Sequence, residues 1–150
     1  MQSQVEIKHI ESDADLEASF SVMKELRPHL SDRTTYSAQV ARQRAQGYRL
    51  LAAWRDNAIV GLAGYRLQDN LIYGRFVYVD DLVVTASLHR SRLGERLLQA
   101  ARQQAVALHC RHFVLDTGLH MALAQRFYFR HGLLAKGMHF VEPLTQESTT

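Results

Sequence analysis

The chain has one cysteine, Cys110, and two prolines among its 150 residues. A single thiol excludes an internal disulfide and suits a reducing compartment. The first ten residues, MQSQVEIKHI, lack the basic and apolar regions of a secretory signal. No apolar run approaches the roughly 18 residues that a membrane span needs. These absences predict a cytoplasmic protein with no membrane partner. Blocks of like charge are missing too: the 18 lysines and arginines are scattered, and the formal net charge is only +3. That balance suits an anionic small-molecule ligand but supplies no coherent basic face for nucleic acid. No repeat, low-complexity tract or linker marks a boundary, so residues 1–150 read as one domain. The nucleophile elbow, the Walker loop and the dinucleotide glycine fingerprint are all absent. His109, Cys110 and His112 have no second ligand pair at zinc spacing, so no metal is expected.

What is present is a regular alternation of elements. Val5, Ile7 and Ile10 predict a first strand, and Ser12 or Asp13 caps a helix running to about Leu26. Pro28 ends that helix by pushing Arg27 out of the helical region. A second helix is expected from Tyr36 to Gln46, stopping at Gly47. Strands Tyr48–Arg55 and Ala58–Leu67 flank the hairpin signal Asp56-Asn57, and Gln68-Asp69-Asn70 reads as the next turn. A long strand over Leu71–Val84 leads into a helix from about Arg92 to Leu108. A short strand at His112–Asp116, a helix over Met121–His131 closed by Gly132, and a last strand over Leu133–Glu142 complete the order. The result is a mixed α/β sheet with helices on its faces.

Three segments carry chemistry. In VDDLVVTASLHRSRLGERLL, from Val79 to Leu98, a strand feeds a polar loop and then a helix. A helix N-terminus offers unpaired N–H donors, Gly94 admits close approach, and His89, Arg90 and Arg92 add side-chain donors for phosphate oxygens. The competing reading is a surface helix with solvated arginines. In AQRFYFRHGL, from Ala124 to Leu133, the Tyr128 hydroxyl is suited to protonating a leaving thiolate, against the alternative of packed aromatics. Asp80 and Asp81 are neighbours on a strand, so only one of them is expected to face any given cleft. A carboxylate there accepts a proton from an amine or serves as a hydrogen-bonded residue at a bulge or sheet end.

The element order, with DDLVV, a loop, HRSRLGERLL and then LDTG and AQRFYFRHGL, resembles the GNAT superfamily of acyl-CoA-dependent N-acetyltransferases. The resemblance spans nearly the whole chain and is strongest from Tyr78 to Phe140. In that superfamily a long fourth strand precedes a pyrophosphate loop of the form Gln/Arg-x-x-Gly-x-Gly/Ala. Aligned without gaps from Asp81 to Val84, His89 takes the Gln/Arg place, Arg92 the first glycine place and Gly94 the last. Leu97-Leu98 then fall on a leucine pair. A gapped alternative sets Arg90-Ser91-Arg92 on an Arg-Ser-Lys/Arg start; in both, an arginine stands where bare backbone is usual. Ala124, Phe127, Tyr128 and Gly132 match the later Asn-x-x-Ala-x-x-Phe-Tyr-x-x-x-Gly-Phe pattern, from which Met121 and Leu133 depart. A subgroup is more similar still, through Leu115-Asp116-Thr117-Gly118, Ala124 to Tyr128, His139-Phe140 and the turn Leu26 to Leu30.

The resemblance implies an α/β (α+β) fold with a mixed, mostly antiparallel twisted sheet and helices on both faces. It implies direct transfer of an acetyl group from acetyl-CoA to a primary amine of a small molecule or peptide. Leu82, Val83 and Val84, with His89, Arg90, Ser91, Arg92, Leu93, Gly94 and Glu95, would hold the donor. Tyr128 would protonate the thiolate, and Asp80, Asp81 or a water chain would take the amine's proton. Arg27, Tyr36, Tyr73 and Tyr78 would shape the acceptor pocket. Homodimers are common in the superfamily. The alternative is a non-catalytic acyl-CoA-binding or regulatory module that keeps the sheet and the loop.

Overall fold

A computed structural model describes residues 4–145 of the chain, which divides into two compact units, Met1–Leu115 and Asp116–Thr150. In the first unit the elements are β1 (Glu6–His9), α1 (Asp13–Leu26), α2 (Arg33–Arg44), β2 (Tyr48–Arg55), β3 (Ala58–Asn70) and β4 (Gly74–Val84). A single 3₁₀ turn (Ala86–Leu88), α3 (Leu93–Ala107) and β5 (His112–Leu115) follow. The sheet runs β1-β2-β3-β4-β5 in order, antiparallel except for the parallel β4–β5 pair.

Caps set the helix starts. The Ser12 side chain accepts from the Asp15 N–H at 3.1 Å, with Asp13 and Asp15 complementing the dipole in the first turn of α1. Asp32 accepts from the Thr35 N–H at 2.8 Å and starts α2 at Arg33, three residues before the expected Tyr36. The Asp56-Asn57 hairpin forms as expected, with both residues at positive φ, 52° and 66°. The following turn lies later than the sequence predicts. Asn70 Oδ1 accepts from the N–H groups of Ile72 and Tyr73, so β3 continues to Asn70 and β4 begins only at Gly74.

Alternate residues of β2 and β3 enter opposite faces of the sheet, which is why the central strands are buried on both sides. Leu50, Ala52 and Leu62 join Leu16, Phe20 and Met23 of α1 and Tyr36 and Val40 of α2 in one apolar cluster. Leu51, Ala53, Val60, Ala63 and Tyr65 join Leu93, Leu97, Ala101 and Ala105 of α3 in the other. The four α3 residues recur every fourth position and form a single stripe. A Cβ on Gly61 would come within 2.8 Å of Leu97 Cδ1, so the bare backbone there lets α3 lie tightly on the sheet.

The second unit contains α4 (Ala122–Arg130), flanked by Met121 and His131 and closed by Gly132 at φ 90°. The Gln125 side chain donates to the carbonyls of Gly118 and Leu119, bracing the turn before the helix. The strand expected over Leu133–Glu142 is not formed: among the described residues no strand follows β5. Its apolar pattern alone is insufficient, because a strand exists only with a neighbour to complete its ladder. Among the described residues, no helix is long and apolar enough to cross a membrane.

Candidate acetyl-CoA site

Between Gly64 and Tyr65 of β3 the register with β4 shifts: Gly64 pairs with Asp81 and Tyr65 with Val79. Asp80 is therefore the extra residue of a β-bulge. The bulge inverts the side-chain phase of β4. Val77 and Val79 belong to the α3-side cluster before it, Leu82 and Val84 pack against the same cluster after it, and Val83 packs against the α1 side. Asp80 and Asp81 consequently share the α1 face, which overturns the expectation that only one of them meets a given cleft. The expectation assumed an unbroken pleat.

Both carboxylates are tied by cations. Arg66 donates to both oxygens of Asp80, Nε to Oδ2 at 2.8 Å and Nη2 to Oδ1 at 2.7 Å. Its guanidinium also lies 5.8 Å from the centre of the Tyr78 ring. Arg27, the C-cap of α1, donates from Nε and Nη2 to Asp81 Oδ1 at 3.0 and 2.9 Å, and from Nη2 to the Asp80 carbonyl at 2.8 Å. The Tyr48 hydroxyl donates to Asp81 Oδ2 at 2.8 Å. Burial, followed by the Asp81 charge, pushes the Tyr48 phenol well above its ordinary pKa and keeps it a donor.

β5 covers β4 only from Phe76 to Val79. From Asp81 to Val84, β4 is paired with β3 alone, and its other edge has no strand partner among the described residues. The chain then passes through the 3₁₀ turn into the start of α3. Arg90 and Arg92 adopt left-handed conformations, φ 72° and 67°, and Arg92 is the N-cap residue of α3 without a side-chain cap bond. A left-handed residue followed by a helical one turns successive N–H groups into a concavity that suits anions. The Ser91 N–H is used by the Leu88 carbonyl at 3.2 Å. Among the described residues, those of Arg90, Arg92, Leu93, Gly94 and Glu95 have no backbone acceptor. The donor set fits a diphosphate: several unpaired amides at a helix start, two exposed arginines, and a free strand edge leading into them. His89 Nε2 is 2.8 Å from the Val84 carbonyl, so it pins the loop to the strand end.

The acetyltransferase (GNAT) family profile matches residues 13–133. The chain belongs to that family. Accordingly it is an N-acetyltransferase that takes acetyl-CoA as donor. Among relatives, the uncharacterised N-acetyltransferase YhdJ of Bacillus subtilis is 28% identical over 124 residues, 83% of this chain and 87% of that one. The aminoglycoside N-acetyltransferase AAC(6')-Iy, solved in complex with CoA, is similar in fold with a TM-score of 0.85. It is 16% identical, and the match covers 97% of this chain and 98% of that one. An acetyltransferase of Trypanosoma brucei has a TM-score of 0.80 at 19% identity, covering 94% of this chain and all of that one.

Against this GNAT frame, Arg27, Asp80 and Asp81 come together, with Tyr78 beside Arg66. Tyr36 lies in the core at 3% exposure, its hydroxyl 2.8 Å from Ser19 Oγ, and burial pushes its pKa up to about 12. Tyr73 lies in the β3–β4 turn against Phe76 and His112, at the far end of β4, roughly 25 Å from Asp81 by strand rise. In the second unit Tyr128 is half-buried on α4, with the Phe127 ring edge-on at 5.5 Å. Burial and then the Asp116 charge raise its pKa, so it is protonated at neutral pH. Sequence reasoning missed Tyr48, Arg66 and Glu25, whose partners lie 14 to 61 positions away.

Proposed function

We propose that residues 1–150 act as one GNAT domain that acetylates a primary amine of a small molecule by direct transfer, with no covalent enzyme intermediate. The observation that carries this reading is the unpaired edge of β4 running into the unpaired amides at the start of α3. The family match crosses the boundary between the two units, which supports treating them as one domain. The strand edge at Leu82, Val83 and Val84 would hydrogen-bond the pantetheine arm, and residues 89–95 would hold the diphosphate. Held there, the thioester is polarised by N–H donors and oriented for attack.

The amine nitrogen then bonds to the acetyl carbon, the carbon–sulfur bond breaks, and Tyr128 gives its phenolic proton to the sulfur. Its raised pKa supports that role, because the proton is present at neutral pH. The proton lost by the amine passes to water in contact with Asp80 or Asp81. Arg27, Arg66 and Tyr78 border that region, and the pairing of the two arginines with the two carboxylates supports an acceptor surface of balanced charge.

Mixing the protein with acetyl-CoA and a panel of polyamines, amino sugars, amino acids and peptides, and following free thiol, tests the proposal. Thiol release with a small amine is the expected result. CoA binding without thiol release for any amine would replace it with a non-catalytic acyl-CoA-binding module. We further read the protein as cytoplasmic and as a homodimer. The exposed Leu134, Met138, Phe140, Val141 and Leu144 of the second unit support self-association, which sedimentation tests.

A further inference from the structure

The last turn of α1 reaches three other parts of the first unit. Lys24 donates from Nζ to the Leu30 carbonyl at 2.9 Å, and Arg27 holds Asp81 and the Asp80 carbonyl. Between them, Glu25 accepts from the Thr85 hydroxyl on Oε2 at 2.8 Å and from the Ala86 N–H on Oε1 at 3.0 Å. Thr85 and Ala86 are the residues at which the chain leaves β4 and enters the 3₁₀ turn before Arg90. Glu25 thus satisfies an orphan amide at the entry of the loop, and both of its oxygens are engaged.

Nothing local explains a glutamate there. A negative charge near a helix C-terminus opposes the macrodipole, and Glu25 is the penultimate residue of α1. Such a misfit between local preference and position marks a residue serving something outside its own helix.

We propose that Glu25 is a positioning residue for acetyl-CoA: it fixes the start of the loop at residues 85–92 without touching the donor. The inference rests on the reading of that loop as the diphosphate site. It makes a prediction of sign. A negative charge that merely stood near the site would repel a diphosphate, so its removal would tighten binding. A positioning carboxylate acts the other way, and its removal loosens the loop and weakens binding.

Calorimetric titration of CoA into the full chain separates these. Glu25→Ala should raise the Kd about three- to tenfold, the net worth of one ordinary hydrogen bond, since the carboxylate is exposed and acts only through the loop. Glu25→Gln, which keeps an acceptor for the Ala86 N–H, should recover most of the loss. Tighter or unchanged binding in Glu25→Ala would overturn the proposal. Glu25 is exposed, so neither variant opens the core. Hydrogen exchange without CoA reads the clamp independently of the ligand. The amides of Ala86 and Leu88 should exchange faster in Glu25→Ala while those of Phe20 to Met23 keep their rates, and unchanged rates at Ala86 would equally overturn it. If the unaltered chain bound no CoA, the loop reading would fail while the exchange result still judged the clamp.

Discussion

The hydroxyl of Tyr48 reaches Asp81 through space that exists only because residue 64 is glycine. A Cβ on Gly64 would collide with the Tyr48 hydroxyl and ring. The ring is 1% exposed and has nowhere to retreat. Gly64→Ala should therefore destabilise the fold by about 2–3 kcal/mol, the scale of overpacking a full core. A urea titration reads it, and a midpoint equal to that of the unaltered chain would show that the Tyr48 ring moves freely.

Buried phenols set the alkaline limit of stability. Tyr48 is held well above its ordinary pKa, and Tyr36 is pushed up to about 12, both chiefly by burial. In the unfolded chain both lose their protons near pH 10. Their contribution is thus complete below pH 10 and is lost as the pH rises toward the folded-state values, since the unfolded state then binds fewer protons. Urea midpoints should fall steadily from about pH 10 to pH 12. The decline should be shallower in Tyr36→Phe, and an identical slope would show that Tyr36 titrates normally in the native state.

Arg92 is a side chain in a glycine's conformation. Its left-handed backbone costs about 1–2 kcal/mol. Replacement by glycine relieves that strain but adds unfolded-state entropy of about 0.5–1 kcal/mol. Arg92→Gly should leave the melting temperature the same or slightly higher. CoA affinity should fall about threefold at low salt, through loss of a phosphate-pairing charge, and the difference should fade as salt is added. A gain in affinity would mean that the side chain obstructs the donor.

Tyr128→Phe removes one proton and little volume. With the general-acid role proposed above, kcat should fall about a hundredfold while the KM for acetyl-CoA and the melting temperature stay near those of the parent. Retained kcat would pass the protonation of sulfur to water.

Much of the first unit was legible because its signals are local. The Asp56-Asn57 hairpin, the α3 stripe and its start next to Arg92 all follow from residues a few positions apart. The later β3–β4 turn followed from a competition that periodicity does not register, with the Asn70 side chain closing the turn after residues that themselves read as one. The missing strand after Gly132 shows the reverse limit, since alternation cannot supply a ladder partner. The loop before α3 was legible, but the network around Asp80 and Asp81 was not. No spacing announces that Arg66 will meet Asp80, or that Glu25 will meet Ala86. Only the glutamate's poor position at a helix end offered a local hint.

The single extra residue at Asp80 gives β4 two different jobs. Before it, the strand is an interior beam with a neighbour on each side. After it, the same strand turns the opposite parity of residues to each face and, among the described residues, has no strand on its other edge, so its backbone is available to a guest. Deleting Asp80 would do more than remove a carboxylate. With Tyr65 opposite Val79 and Gly64 opposite Asp81, it would close the two strands into an unbroken ladder, keeping Leu82 and Val84 toward α3 and Val83 toward α1 but removing the local kink. The kink between Val79 and Asp81 is therefore specified by a count of residues as much as by their identity.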